Sequence, residues 1–269
     1  MSTYFPWREA PKSQYAVIGD PVAHSLSPKM QNLALKIIGL DEKYEAIRVP
    51  VEEFEEALDH LISLGYRGLN VTVPLKQLAY DWAKSMPRLE RRMGVVNTLR
   101  LSDRAAINSD APGFIETLRR ERFDFRCNVL LLGAGGTARA LATALIEHGA
   151  HLTIWNRTRT NLEKMLDELR VDAEIARRPD PTDCQLILNT TSAGLNDHDI
   201  AVDWHLAPRR AIAYDVFYTE GLTKFLFEAR NAGLKTMDGR ALLAEQGALS
   251  LEWWTGTTAP RDDMLKAVQ

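Results

Sequence analysis

The sequence predicts an α/β protein of two domains, an N-terminal α/β domain followed by one built on a doubly wound parallel sheet. Three observations predict it. Short apolar strand-like runs alternate with helical stretches along almost the whole chain. The run Asn128-Val-Leu-Leu-Leu132 is apolar without alternation, as in strands buried on both faces. The length, 269 residues, suits about two domains of ~150 residues.

The elements follow in order. Residues 15–19 read as a strand and 28–38 as a helix, with Ser27 as N-cap and Pro28 at the first helical position. Tyr44, Ala46 and Val49 mark a second strand, and Phe54, Leu58, Leu61 and Ile62 draw one face of the next helix. Residues 67–73 form a third strand, ended by Pro74, which has no N–H for a ladder. A helical run and a hairpin-like pair, 95–101 and 105–108, complete this half. Beyond residue 108 come helix 112–122, strand 128–132, helix 136–148, strand 151–155, helix 160–170, strands 186–190 and 211–217, and a long apolar helix over 241–254. A domain boundary is expected near residue 109. Phe5, Pro6 and Trp7 carry no functional reading.

Composition narrows the class of function. With 45% hydrophobic and 26% charged residues the chain is an ordinary globular protein, and a net charge of -3 gives no field to hold a nucleic acid. Cys127 and Cys184 lack CxxC spacing, which argues against a structural metal site or a disulfide framework. No run reaches the ~18 apolar residues of a membrane span, and the N-terminus lacks an apolar signal core. A cytoplasmic soluble enzyme without metal is the expectation.

The segment Gly133-Ala134-Gly135-Gly136-Thr137-Ala138 fits G-x-G-x-x-A directly after a buried strand and at a helix start. One glycine permits the tight turn, another lets backbone approach a diphosphate, and the helix N-terminus favours its charge. This is the Rossmann dinucleotide fingerprint. At the end of the following strand stands Asn156-Arg157-Thr158-Arg159, where an NAD site usually carries an acid. A guanidinium fork suits a 2′-phosphate, so NADP is favoured over NAD. The same residues also read as a solvated loop with Thr158 or Thr160 capping the next helix.

Three polar motifs stand at strand ends in the first half, where open α/β sheets bind ligands: Ser25-Leu-Ser27-Pro28, Asn70-Val-Thr72-Val-Pro-Leu-Lys76 and Val96-Asn97-Thr98. Alternation puts Asn70 and Thr72 on one strand face, with Lys76 just past its end. The paired hydroxyls of Ser25 and Ser27 beside a helix start suit a carboxylate. Singly, each has a plainer reading: Ser27 as a cap, Lys76 as a solvated lysine, Asn97 in a turn, Asn108-Ser109-Asp110 as a cap.

Together, the motifs AHSLSP, NVTVPLK, GVVNTL, NSDAPGF, GAGGTARA, WNRT, LNTTSAG, YDVFY and EQGALSLEWWTG resemble the shikimate dehydrogenase family in order and spacing. The resemblance implies NADPH-dependent reduction of 3-dehydroshikimate to shikimate. It also implies a substrate domain over residues 1–108, completed by helices in 241–269, and a Rossmann NADP domain over 109–240. Lys76 and Asp110 match the catalytic pair. Ser25 and Ser27 would bind the substrate carboxylate, with Asn70, Thr72, Asn97, Asp110 and Gln246 around the ring hydroxyls and Tyr218 joining from the second domain. Gly133 to Thr137, Asn156, Arg157, Thr158, Asn189, Thr190, Thr191, Val216 and Gly239 match the cofactor side. The implied partner is the small substrate alone, bound by a monomer or homodimer. Three departures stand out: Ser109 where threonine is usual, Ala241 and Leu242 where the family reads glycine and methionine, and Val216 at a common methionine position. Two other readings accompany this one: a quinate/shikimate dehydrogenase that also uses NAD, and a non-catalytic binding protein of the same fold.

Overall fold

A computed structural model describes residues 4–191, 193 and 200–269. The chain divides into two compact units, Met1–Gly113 with Leu243–Gln269, and Phe114–Leu242.

The first unit is a six-stranded sheet. Its strands are β1 (Phe5–Pro6), β2 (Tyr15–Gly19), β3 (Tyr44–Arg48), β4 (Gly68–Val71), β5 (Thr98–Arg100) and β6 (Ala105–Ile107), in the order β1-β3-β2-β4-β5-β6. The first four are parallel, with Val17 opposite Ala46 and Asn70, whereas β4, β5 and β6 pair antiparallel. Period-two alternation sends successive residues to opposite faces. Ala16 and Ile18 join Phe54, Ala57, Leu58 and Leu61 of α2 (Phe54–Ser63) in one core. Tyr15 and Val17 join Met30, Ala34 and Leu35 of α1 (Ser27–Ile37) in the other. Helices α3 (Lys76–Trp82) and α4 (Arg88–Met93) separate β4 from β5, and α5 (Asp110–Arg120) follows β6.

The second unit is wholly parallel: β7 (Asn128–Leu132), α6 (Gly136–Glu147), β8 (His151–Trp155), α7 (Arg159–Leu169), β9 (Glu174–Ile175), β10 (Leu186–Asn189), β11 (Ile212–Asp215), α8 (Lys224–Asn231) and β12 (Lys235–Met237). The order β9-β8-β7-β10-β11-β12 reverses between β7 and β10, the doubly wound arrangement in which ligands bind beyond the strand ends at the switch point. The chain then runs through α9 (Arg240–Thr255) and α10 (Arg261–Val268), whose Ala248, Leu251 and Met264 sit in the α1 core of the first unit. No helix among the described residues is long and apolar enough to cross a membrane.

Several expectations need correction. Helix α1 begins at Ser27, not after it, and its N-cap is Leu26, so Ser27 does not cap. Ile62 is exposed, and Ala57 takes its place on the buried face. Strand β4 stops at Val71 because the chain turns at Thr72, whose carbonyl accepts from Leu75 N–H at 2.9 Å. Helix α5 starts at Asp110, two residues early, because Asn108 Oδ1 accepts from Ala111 N–H at 3.1 Å. Phe5 and Pro6 extend the sheet edge, and Trp7 is buried, its indole donating to Glu53 at 2.6 Å.

Candidate active site

Lys76 is the first residue of α3 and Asp110 the first of α5, so two helix starts bring an ammonium and a carboxylate together. Lys76 Nζ lies 2.5 Å from Asp110 Oδ2, and both side chains are about nine-tenths buried. The α5 dipole favours the carboxylate at this position. Taking two charges out of water is costly, so such a pair is weak evidence for stability and directs attention to chemistry.

Of the residues singled out in the sequence, Asn97 and Gln246 lie beside the pair and Asn70 joins them through Ser250. Asn97 donates from Nδ2 to Asp110 Oδ1 at 2.9 Å, and Gln246 on α9 places Oε1 3.5 Å from the same nitrogen. Asn70 accepts from the Tyr44 phenol at 2.7 Å and donates to Ser250 at 2.8 Å and Thr98 at 3.1 Å. Burial pushes the Tyr44 phenol far up, against a hydrogen bond with Ser27 that pulls it down, so the phenol stays protonated and donates. A string of polar side chains therefore runs from Ser27 through Tyr44, Asn70, Ser250, Ser109 and Asn97 to Asp110 and Lys76. Ser25 Oγ accepts from Ser27 N–H at 3.2 Å, and the Thr72 hydroxyl has no partner among the described residues.

In the second unit, Gly133 has φ +124°, a region open to glycine, and a Cβ there would run into Thr190 Oγ1. Thr190 in turn donates to Leu132 O at 2.7 Å, bracing the loop from behind. Gly135 caps α6 with nothing within 4 Å of where its side chain would be among the described residues, and Gly136 and Thr137 begin the helix after Ala134. At the end of β8, Asn156 Nδ2 donates to Thr158 O at 2.8 Å and Arg159 pairs with Glu163 at 2.7 Å. Arg157 is exposed and has neither hydrogen bond nor ion pair among the described residues. Thr158 occupies the α7 N-cap, but its hydroxyl makes no capping bond.

Asn189 Oδ1 accepts from Thr191 N–H at 3.0 Å and from its hydroxyl at 2.8 Å. Ser192 and Gly194 of the LNTTSAG motif lie outside the described residues. Gly239 lets two backbones cross: a Cβ would strike Val216 O, and Gly239 N–H donates to Phe217 O at 3.2 Å. The Arg240 guanidinium lies 5.8 Å from the Tyr218 ring centre and donates to Thr219 O. Asp215, buried under this segment, accepts from Phe217 N–H at 3.1 Å and the Thr223 hydroxyl at 2.7 Å, and burial pushes its carboxyl up to about 6. Among the described residues no cluster could hold a metal ion.

Tyr44, Asp215 and Ser250 are polar residues of these networks to which the sequence reading assigned no functional role. The available signals were Ser250 at i+4 from Gln246 and Asp215 inside YDVFY.

Comparison with known proteins gives consistent results. Residues 17–99 match the shikimate dehydrogenase substrate binding domain, 117–183 the shikimate / quinate 5-dehydrogenase family, and 239–269 the shikimate 5′-dehydrogenase C-terminal domain. A shikimate dehydrogenase (NADP(+)) of Thermus thermophilus is 38% identical over 265 residues, 95% of this chain and 97% of that protein. Shikimate dehydrogenase of Aquifex aeolicus superposes with a TM-score of 0.87 at 32% identity, covering 96% of this chain and 98% of that one. A Thermus thermophilus shikimate 5-dehydrogenase in complex with NADP(H) and shikimate gives a TM-score of 0.86 at 36% identity, covering 95% and 98%.

Proposed function

The chain belongs to the shikimate dehydrogenase family, and from that premise we propose that it catalyses the NADP-dependent, reversible reduction of 3-dehydroshikimate to shikimate. The observation that carries the chemistry is the buried Lys76–Asp110 pair.

The cofactor supplies or accepts the hydride. The residues present fit it: a side chain is missing at the Gly135 cap of α6, and Arg157 is a guanidinium uncommitted among the described residues. Gly133, Ala134, Gly135, Gly136 and Thr137 would hold the diphosphate. Asn156, Arg157 and Thr158 would hold the 2′-phosphate, and Asn189, Thr190, Thr191, Val216 and Gly239 the nicotinamide half.

As negative charge grows on the ketone oxygen, Lys76 stabilises it and delivers a proton from Nζ. Asp110 keeps that ammonium aimed through Oδ2, and Asn97 holds the other carboxylate oxygen. Ser25 and Ser27 bind the substrate carboxylate. Thr72, with its free hydroxyl, Gln246, Tyr218 and the remaining lone pair of Asn70 Oδ1 serve the ring hydroxyls. A metabolite sensor of this fold would need the binding groups but not the proton donor, so the Lys76–Asp110 pair favours the enzyme. The same reading makes the protein a cytoplasmic monomer or homodimer.

The test is an assay of shikimate and quinate, each with NADP and NAD. Fastest turnover with shikimate and NADP is expected. Comparable turnover of quinate with NAD would instead mark a quinate/shikimate dehydrogenase, and no turnover of either acid would mark a binding protein.

A further inference from the structure

Ser250 has no part in the reading above, yet the polar interior of the first unit converges on it. It lies one turn past Gln246 on α9 and is fully buried. Its Oγ is 2.8 Å from Asn70 Nδ2, 2.9 Å from Thr98 Oγ1, 3.1 Å from Ser109 Oγ and 2.9 Å from the Gln246 carbonyl.

Counting protons fixes the directions of most of these bonds. The backbone N–H of Ser109 can only donate, so the Asn97 atom 2.7 Å from it is Oδ1. Asn97 Nδ2 is thereby turned to Asp110 Oδ1 at 2.9 Å and Ser109 Oγ at 3.0 Å. Tyr44 donates to Asn70 Oδ1, which leaves Asn70 Nδ2 to donate to Ser250. The single proton of Ser250 goes to the Gln246 carbonyl, the usual bond of a helical serine to residue i−4. Its oxygen then accepts from Asn70 and from one neighbouring hydroxyl. Two hydroxyls can fill that place, Thr98 at 2.9 Å and Ser109 at 3.1 Å, and each has Asn97 Oδ1 as its other acceptor, at 3.1 and 3.2 Å. The Ser109 oxygen is left to accept the second N–H of Asn97.

We infer that Ser250 is a positioning residue for the reaction: its oxygen orients the Ser109 hydroxyl, which holds the Asn97 amide against Asp110. Without that oxygen the Ser109 proton turns to Asn97 Oδ1 at 3.2 Å or Gln246 Oε1 at 3.4 Å. Both alternatives compete with the bonds that keep the amide in place. The inference rests on the proposed roles of Lys76 and Asp110.

Steady-state kinetics of Ser250→Ala and Ser250→Cys test it, since cysteine nearly preserves volume but hydrogen-bonds weakly. Both variants are expected to lower kcat for shikimate about tenfold, the rate equivalent of one buried hydrogen bond, with KM for NADP within about twofold of the parent. Ser109→Ala is expected to lower kcat to a similar extent, and adding Ser250→Ala to it to lower kcat no further. Parent-like kcat in both Ser250 variants, with only a lower Tm, would overturn the inference, as would losses that multiply in the double variant. Lys76→Ala in the same assay keeps the two readings apart. Loss of turnover there beside parent-like Ser250 variants sinks only the Ser250 inference, whereas a parent-like Lys76→Ala sinks the proposed chemistry and this inference with it.

Discussion

At the scale of single residues, Lys76 and Arg157 are charges with opposite settings. Lys76 is buried against a carboxylate, while Arg157 stands exposed with no partner among the described residues. A positioned proton donor supplies ~100- to 10,000-fold in rate. Lys76→Ala and the length-matched Lys76→Met are therefore expected to lose turnover on that scale while circular dichroism and NADP affinity stay near the parent's. Turnover within about threefold of the parent, with only KM raised, would make Lys76 a substrate-positioning group. On the proposed reading Arg157→Ala removes a charge-assisted bond of about 1.5–3 kcal/mol, so NADP should bind roughly ten- to a hundredfold more weakly. Titration with NAD should show little change, and equal losses for both cofactors would assign the loop a structural role. Both residues stood out in the sequence because each sits in a short motif beside a strand end. Ser250 was not, because its meaning comes from Asn70, Thr98 and Ser109, which sequence distance hides. Ser27 shows a third case: the residue type suited a cap, but the helix begins one position earlier and its side chain meets Tyr44 instead.

At the scale of elements, α5 and α9 pass closely where the first unit holds its polar side chains. A Cβ on Gly113 would lie 2.9 Å from Gln246 N and 3.2 Å from its Cα, backbone that cannot swing aside. Gly113→Ala is expected to cost about 1–3 kcal/mol as overpacking and to raise KM for shikimate by shifting Gln246. Urea unfolding reads the first effect and steady-state kinetics the second; unchanged values in both would mean that the helices yield without strain. One face of α9 continues the contact: Gln246, Ser250 and Trp254 follow at i, i+4 and i+8, and the Trp254 indole donates to Leu99 O at 3.0 Å and covers Gly68. The longer strands, β2, β3, β7 and β8, were legible from runs of five apolar or alternating residues. Strands β9 and β12, of two and three residues, leave too short a pattern for periodicity to register. They exist because neighbouring strands offer them a ladder.

At the scale of the whole molecule, stability carries a pH dependence that one buried carboxyl contributes. Asp215 is pushed up to about 6 from its usual 3.8, chiefly by burial. Between these values the folded chain holds a proton that the unfolded chain has released. Stability is thus fullest below the lower value and falls as pH rises through the upper one, by about 3 kcal/mol in all. Asp215→Asn should flatten that decline relative to the parent when urea unfolding is compared at acid and neutral pH, and identical slopes would remove Asp215 from the account. The division of the chain has a kinetic consequence on the ribosome. The second unit is complete once Leu242 has emerged, whereas the first, begun earlier, waits for α9 and α10. At about 5–20 residues per second, synthesis from Phe114 to the last helix takes roughly 8–30 s. Throughout that interval Tyr15, Val17, Met30 and Leu35 lack their covering from Ala248, Leu251 and Met264. The segment translated second is the one that can finish folding first, and the nascent first unit is the species most in need of a chaperone.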